Sequence, residues 1–107
     1  MQIGSYKFIV AEGDSMCPTL GEKAISILDL EDKDFKIGDV VVYNKTKKSD
    51  RRILGVEHRI IDEYNDFYQL KGDNNPFPDN TWIPKRKIIG KVVYNFDSVE
   101  SVEKYLE

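Results

Sequence analysis

Cysteine and histidine are almost absent from this chain of 107 residues, since each occurs once, as Cys17 and His58. A lone cysteine cannot form an intramolecular disulfide, and one thiol with one imidazole falls short of most transition-metal sites built from protein side chains. We therefore expect no disulfide scaffold, no metal centre and no cofactor. Cys17 is expected to be a small, half-buried side chain at a turn.

Long apolar runs are also missing. No segment approaches the roughly 20 consecutive apolar residues that cross a bilayer. Residues 1–10 contain Gly4, Ser5 and Lys7, which interrupt the apolar core that a secretion signal requires. The chain by itself is therefore expected to be soluble.

Charge of one sign is not concentrated anywhere along the chain. The net charge of −3 results from 16 basic and 19 acidic residues that are mixed in the sequence. Nucleic-acid binding usually requires a cluster of basic residues with aromatic residues between them. The sequence contains no such cluster, so we expect no nucleic-acid partner. The densest basic run, Lys45 to Arg52, contains Thr46, Ser49 and Asp50. It is typical of a solvated hairpin or loop, with a phosphate or substrate contact as the alternative.

Strand patterns dominate what is present. Short aromatic and β-branched runs recur, separated by glycines and by an Asn65-Asp66 pair that favours a tight hairpin turn. Only the tail is helical, with Asp97 or Ser98 as the cap of a helix through Leu106. The candidate strands are Tyr6 to Ala11, Ala24 to Leu30, Asp39 to Tyr43, Ile53 to Tyr64, Phe67 to Leu70 and Ile88 to Tyr94.

The whole chain, residues 1–107, is long enough for one domain and too short for two. The pattern predicts a mainly β fold: a compact, mostly antiparallel domain of six or seven short strands with a C-terminal helix.

Ser15 lies in a segment that favours a bend, because Gly13 precedes it and Pro18 follows it. A serine nucleophile needs such a bend, so that its hydroxyl projects while backbone N–H groups converge on the developing oxyanion. An ordinary serine-containing turn or a helix N-cap is the alternative interpretation.

His58 is the one imidazole available to activate a serine, so any Ser-His mechanism must use it. Alternation along Ile53 to Tyr64 places His58 on an apolar strand face and Glu57 and Arg59 on the other face, which makes them poor candidates for the site. A histidine on such a face can equally be a hydrogen-bonded core residue. Lys71 is the alternative base.

A rigid polar loop follows from Gly72 to Asp79, with two carboxylates, two amides and two prolines. One carboxylate could accept the His58 ring N–H and fix its tautomer. The alternative is an Asx-rich turn held by its own hydrogen bonds.

Taken in order, these segments closely resemble the type I signal peptidases, in particular the archaeal and endoplasmic-reticulum subgroup. The resemblance covers roughly residues 6–94 and depends most on the His58-Arg59-Ile60 and Lys71-Gly72-Asp73-Asn74-Asn75 boxes. The other matching segments are Gly13-Asp14-Ser15-Met16, Pro18-Thr19-Leu20, Ile37-Gly38-Asp39-Val40-Val41-Val42-Tyr43 and Ile89-Gly90-Lys91-Val92-Val93.

The resemblance implies a serine endopeptidase with Ser15 as nucleophile, His58 as general base and Asp79 as triad acid. Asp73 would hold the loop through backbone hydrogen bonds, and Gly13, Asp14 and Met16 would support the nucleophile. It also implies a coiled, barrel-like β fold shared with self-cleaving repressors. The substrate would be an extended peptide or protein segment with small side chains at the first and third positions before the cut.

The chain departs from the family in two ways. Signal peptidases carry a membrane anchor, usually ahead of the serine box, and 14 residues precede Ser15 here. Gly13 also stands where many signal peptidases have serine. In this respect the Gly13-Asp14-Ser15-Met16 segment is more similar to the repressor-type peptidases. The expectation is thus a soluble, cytoplasmic member, or one whose anchor was removed or is supplied by a membrane-anchored partner. A self-cleaving regulatory peptidase and a non-catalytic peptide-binding or assembly module stay open.

Overall fold

The computed structural model describes residues 2–10, 13–21, 23–46, 53–96 and 99–106. These residues form eight β-strands, one short 3₁₀ turn and one α-helix, which confirms the mainly β class and the C-terminal helix. The elements are β1 (Gln2–Ile3), β2 (Tyr6–Val10), β3 (Ile25–Asp29), β4 (Val40–Thr46), β5 (Ile53–Tyr64), β6 (Phe67–Lys71), β7 (Ile83–Pro84), the 3₁₀ turn (Lys85–Lys87), β8 (Ile88–Phe96) and α1 (Val99–Leu106).

The strands make one antiparallel sheet in the order β1-β2-β3-β8-β4-β5-β6-β7. The last strand, β8, therefore lies between β3 and β4 and ties the two halves of the chain together. The sheet is open, with β1 and β7 at its edges. These two-residue strands are the ones that the sequence pattern did not predict, and Pro84 fits an edge strand because it cannot donate a ladder hydrogen bond.

One side-chain contact shows that the sheet is strongly curved. The Ser26 hydroxyl on β3 donates to Glu57 Oε1 on β5 at 2.6 Å, although β8 and β4 lie between these strands. Three strand spacings in a flat sheet would separate them by about 14 Å. The sheet is therefore strongly curved between β3 and β5.

The longest strand is predicted with its observed bounds, from Ile53 to Tyr64. Asn65 and Asp66 have φ of 46° and 64°, the left-handed conformations that a two-residue hairpin turn needs, so the predicted turn is confirmed. Most of Lys45 to Arg52, and the proposed caps Asp97 and Ser98, lie outside the described residues. No helix in the described part of the chain is long and apolar enough to cross a membrane.

Two clusters of buried side chains hold the fold. The larger lies between β4, β5 and β6 and includes Val41, Ile60 and Leu70, each fully buried. The smaller packs beneath the segment that carries Ser15 and consists of Met16, Leu20, Ala24 and the partly buried Val40. The candidate site lies where these two clusters approach each other.

Candidate active site

His58 sits in the middle of β5, directly opposite Val41 of β4. Its side chain shares the buried face with Val56 and Ile60, as the alternation predicts, and the residue is 8% exposed. The side chain of Leu54, expected on the same face, lies outside the described set. Pairing with β4 at His58 itself, and with β6 from Arg59 onward, gives the imidazole a fixed position and little contact with water.

Ser15 lies in the turn that follows β2. Gly13 has φ of +81°, a conformation that glycine adopts without strain, and the Cys17 N–H donates to the Asp14 carbonyl at 3.0 Å. Met16 points inward, with 4% of its surface exposed. The predicted bend is therefore present, and the buried Met16 fixes the side on which the neighbouring Ser15 hydroxyl emerges. Cys17 is half-buried with a free thiol, as expected.

Of the three residues predicted to form the triad, Ser15 and Asp79 each lie within hydrogen-bonding distance of His58. Ser15 Oγ is 3.1 Å from His58 Nε2, and His58 Nδ1 is 2.7 Å from Asp79 Oδ2. The ring nitrogens thus face the hydroxyl and the carboxylate on opposite sides. A neutral imidazole protonated at Nδ1 would donate to Asp79 and accept the Ser15 proton at Nε2.

The Asp79 carboxylate has a second partner, because the Tyr43 hydroxyl donates to Oδ2 at 3.3 Å. Burial, together with the negative charge of Asp79, raises the pKa of Tyr43 to about 12. Tyr43 therefore stays protonated and remains a donor. The Asp79 backbone N–H donates to the Leu70 carbonyl at 2.8 Å, which ties this end of the loop to β6 without using the carboxylate.

Asp73 occupies a different place, beneath the turn that carries Ser15. Its carboxylate accepts from Arg59 Nε at 2.9 Å and Nη2 at 2.8 Å, and from the Thr19 hydroxyl at 2.6 Å. The hydrogen bonds from Arg59 hold the pKa of Asp73 below its ordinary value. The expectation that Asp73 holds the loop through backbone bonds is corrected here, because its oxygens bind side chains.

Arg59 was not expected to take part, because alternation directs it away from His58. It does lie on the other face of β5, and from there it binds both Asp73 and the Gly38 carbonyl, the latter at 2.7 Å through Nη1. Its contribution is thus indirect. The sequence feature that could have indicated this part of Arg59 is the Glu57-His58-Arg59 order, which places a cation next to the base and on the opposite face of the strand.

Asn74 is a further residue whose part sequence reasoning did not identify. Its backbone N–H donates to the Ser15 carbonyl at 2.8 Å, and its side-chain Nδ2 donates to the Asp14 carbonyl at 3.0 Å. The Asp73 N–H points at Met16 Sδ, 3.4 Å away. Asp14 and Met16, predicted as supporting residues, are therefore held by the loop through a carbonyl and a thioether.

Gly72 allows the two loops to approach this closely. A Cβ at this position would lie 2.6 Å from the Ser15 carbonyl oxygen and 2.7 Å from Asn75 Nδ2. A Cβ atom essentially never comes within 3.0 Å of a backbone oxygen. Glycine is therefore required here by contact, independently of any turn conformation.

Glu57 is an unexpected, half-buried carboxyl beside the site. Burial raises its pKa, an effect opposed by the hydrogen bond from Ser26 and by the charge of His58. Its second oxygen, Oε2, is buried and has no hydrogen-bond partner. A carboxyl in such surroundings is stabilised in its protonated form.

Ser15, His58, Glu57 and Asp79 all line one open cleft of about 1500 Å³. Phe77, which lies on the rim, is 77% exposed, so the loop presents an apolar side chain to whatever enters. Lys71, the alternative base, directs its Nζ to the Gly72 carbonyl at 3.2 Å. Among the described residues, no three potential metal ligands of the His, Cys, Asp or Glu types converge on one point.

The chain was compared with protein-family models, with curated proteins and with solved structures, and none of the three comparisons found a match.

Proposed function

We propose that this protein is a serine endopeptidase of the signal peptidase I kind, with Ser15 as nucleophile, His58 as general base and Asp79 as the orienting acid. The observation that supports the proposal is the continuous chain of contacts from Ser15 Oγ through the two ring nitrogens of His58 to Asp79, at 3.1 and 2.7 Å. The family resemblance of residues 6–94 points to the same three residues independently.

In the proposed reaction, His58 Nε2 takes the Ser15 proton as Oγ attacks the scissile carbonyl. The imidazolium that forms is stabilised by the Asp79 carboxylate, and it later gives its proton to the departing amine. Backbone N–H groups of the Ser15 turn would stabilise the oxyanion. Water then attacks the acyl-enzyme, again with His58 as base, and the Ser15 hydroxyl is regenerated.

The substrate in this proposal is an extended segment of a peptide or protein. The strongly curved sheet and the open cleft beside Ser15 are compatible with the coiled, barrel-like fold of the family, in which a peptide adds as a strand. Small side chains before the cut are what the resemblance implies. A membrane-anchored partner that presents the substrate is part of the same proposal.

The first experiment measures cleavage of a peptide library with small residues at the first and third positions before the cut, together with covalent labelling by a fluorophosphonate. We expect Ser15→Ala and His58→Ala each to remove nearly all activity, and the double variant to lose little more, because the two act as one unit. Ser5→Ala is the matched control, since Ser5 lies in the turn between β1 and β2.

All variants should melt as the wild type does, within a few degrees. Unchanged cleavage by pure Ser15→Ala protein would end the serine peptidase proposal. Activity that survives in His58→Ala but not in Ser15→Ala would transfer the role of base to another residue, with Lys71 as the first to test.

A further inference from the structure

The cleft that contains Ser15 is positively charged, although the protein carries a net charge of −3. Among the described residues that line it, four are basic and two are acidic. The basic residues are Lys7 on β2, Lys45 at the end of β4, and Arg86 and Lys87 in the 3₁₀ turn before β8. All four are exposed.

The two acidic lining residues are bound to partners other than the basic side chains. Asp79 faces His58 and accepts from Tyr43. Glu57 accepts from Ser26 through Oε1, and its Oε2 is buried without a hydrogen-bond partner. Neither carboxyl is placed to neutralise a basic side chain at the rim.

The four basic side chains make no ion pair with any residue in the described part of the chain. Other cations of the protein do pair: Arg59 binds Asp73, and Lys91 lies 3.0 Å from Asp32 and 3.6 Å from Asp39. Unpaired charge that faces one cleft attracts ligands of opposite sign, because the low-dielectric walls focus the field there.

We propose that the cleft selects peptides that carry acidic side chains close to the scissile bond, an inference that rests on the proposed peptidase function. An anionic membrane surface is a second source of negative charge. The peptide is favoured because the cations come from three separate elements around the cavity that holds Ser15, so a ligand must enter the cleft to meet them together.

The test uses the full chain with Ser15→Ala, which binds without cleaving. Three fluorescein-labelled peptides share one Ala-x-Ala centre and differ only in flanking residues, which are glutamate, glutamine or lysine. Fluorescence anisotropy gives the dissociation constants. We expect the glutamate peptide to bind most tightly and its advantage to shrink as salt rises, because exposed charges are screened.

The variant R86E/K87E, made in the same background, should invert this preference. Each exposed ion pair changes an equilibrium by about two- to fivefold, and each reversal also adds a repulsion, so the ratio of the glutamate and lysine constants should shift by at least about tenfold. The matched control is K85E/K104E. It changes the net charge equally at Lys85, in the same 3₁₀ turn, and at Lys104 on α1, and neither residue lines the cleft.

Equal binding of the three peptides, or an equal shift caused by the control variant, would overturn the inference. Sedimentation with vesicles of phosphatidylcholine, with and without phosphatidylserine, tests the membrane. If R86E/K87E abolishes binding to the anionic vesicles while the peptides bind alike, the cations serve a membrane and the inference is wrong.

Cleavage separates this inference from the proposed function. Ser15-dependent cleavage that ignores the charge of the peptide would refute the inference alone. Charge-selective binding by a protein that never cleaves any of the three peptides would refute the peptidase and leave a module that binds acidic peptides.

Discussion

Replacing Asp79 with asparagine tests the part of the triad that the sequence could place least securely. The carboxylate contacts the His58 ring at 2.7 Å, and side-chain exposures of 10% for His58 and 17% for Asp79 keep most water away from the pair. The Asp79 backbone bond to Leu70 does not involve the side chain. Asp79→Asn should therefore keep the loop in place and change only the chemistry.

The size of the effect follows from the charge that appears during the reaction. When His58 takes the serine proton, a cation forms beside the Asp79 carboxylate. At an effective dielectric constant near 20, opposite charges about 4 Å apart attract by about 4 kcal/mol, which corresponds to roughly 10³-fold in rate. An amide can also stabilise the wrong imidazole tautomer, so we expect a loss on the order of 10³- to 10⁴-fold.

The assay is the rate at which a fluorophosphonate phosphonylates Ser15 with loss of fluoride, because His58 takes the serine proton in this step and the imidazolium forms. Tyr43→Phe is the matched control: it removes the longer hydrogen bond to Asp79, at 3.3 Å, but keeps the negative charge. We expect it to slow phosphonylation only by about tenfold or less, because this hydrogen bond is long and the carboxylate charge beside the imidazolium is kept. If Asp79→Asn, shown to be folded by its melting curve, is phosphonylated within about tenfold of the wild-type rate, Asp79 is not the orienting acid.

Two further predictions concern stability. Asp73→Asn should lower the free energy of unfolding by about 1–3 kcal/mol, because Arg59 and Thr19 lose a charged acceptor, and a double-mutant cycle with Arg59→Gln should show coupling; a wild-type denaturation midpoint for Asp73→Asn would contradict this. Glu57 should make the protein less stable as pH rises above 4.5, the ordinary pKa of the group, because the folded state binds this proton more tightly than the unfolded chain does. The free energy of unfolding, measured with urea at a series of pH values, should decline less with pH in Glu57→Gln than in the wild type. The control Glu63→Gln, at an exposed residue, should decline as the wild type does. Equal pH dependence in the two variants would show that Glu57 does not cause the decline.

The sequence pattern predicted the elements that depend on local physics. Alternation in β5 gave its bounds and put His58 on the buried face, and the Asn65-Asp66 pair gave the hairpin turn. It did not predict β1 and β7, since two-residue strands are too short for any period to show. Nor could it predict that β8 lies between β3 and β4, because strand order depends on which buried faces fit together.

For the candidate site, too, the sequence predicted some residues and missed others. Ser15, His58 and Asp79 were selected from residue types and from the family resemblance, and the structure brings all three together. Arg59 was missed because it acts on the face of β5 opposite His58, and Asn74 was missed because it acts through backbone carbonyls. Such contacts depend on how the Gly72 to Asp79 loop packs against the Ser15 turn. The residue pattern along the chain does not indicate how two loops distant in sequence pack together.

The members of the site are held by structures of very different kinds. His58 is fixed by a long strand that pairs with β4 at His58 and with β6 from Arg59 onward, whereas Ser15 and Asp79 lie in loops. The distance between nucleophile and base therefore depends on the contacts between those loops: the two bonds from Asn74, the Asp73 carboxylate beneath the turn, and the close approach at Gly72. Because a loop opens locally at lower cost than a central strand, any loss of geometry in this site should begin at Ser15, with His58 still in place.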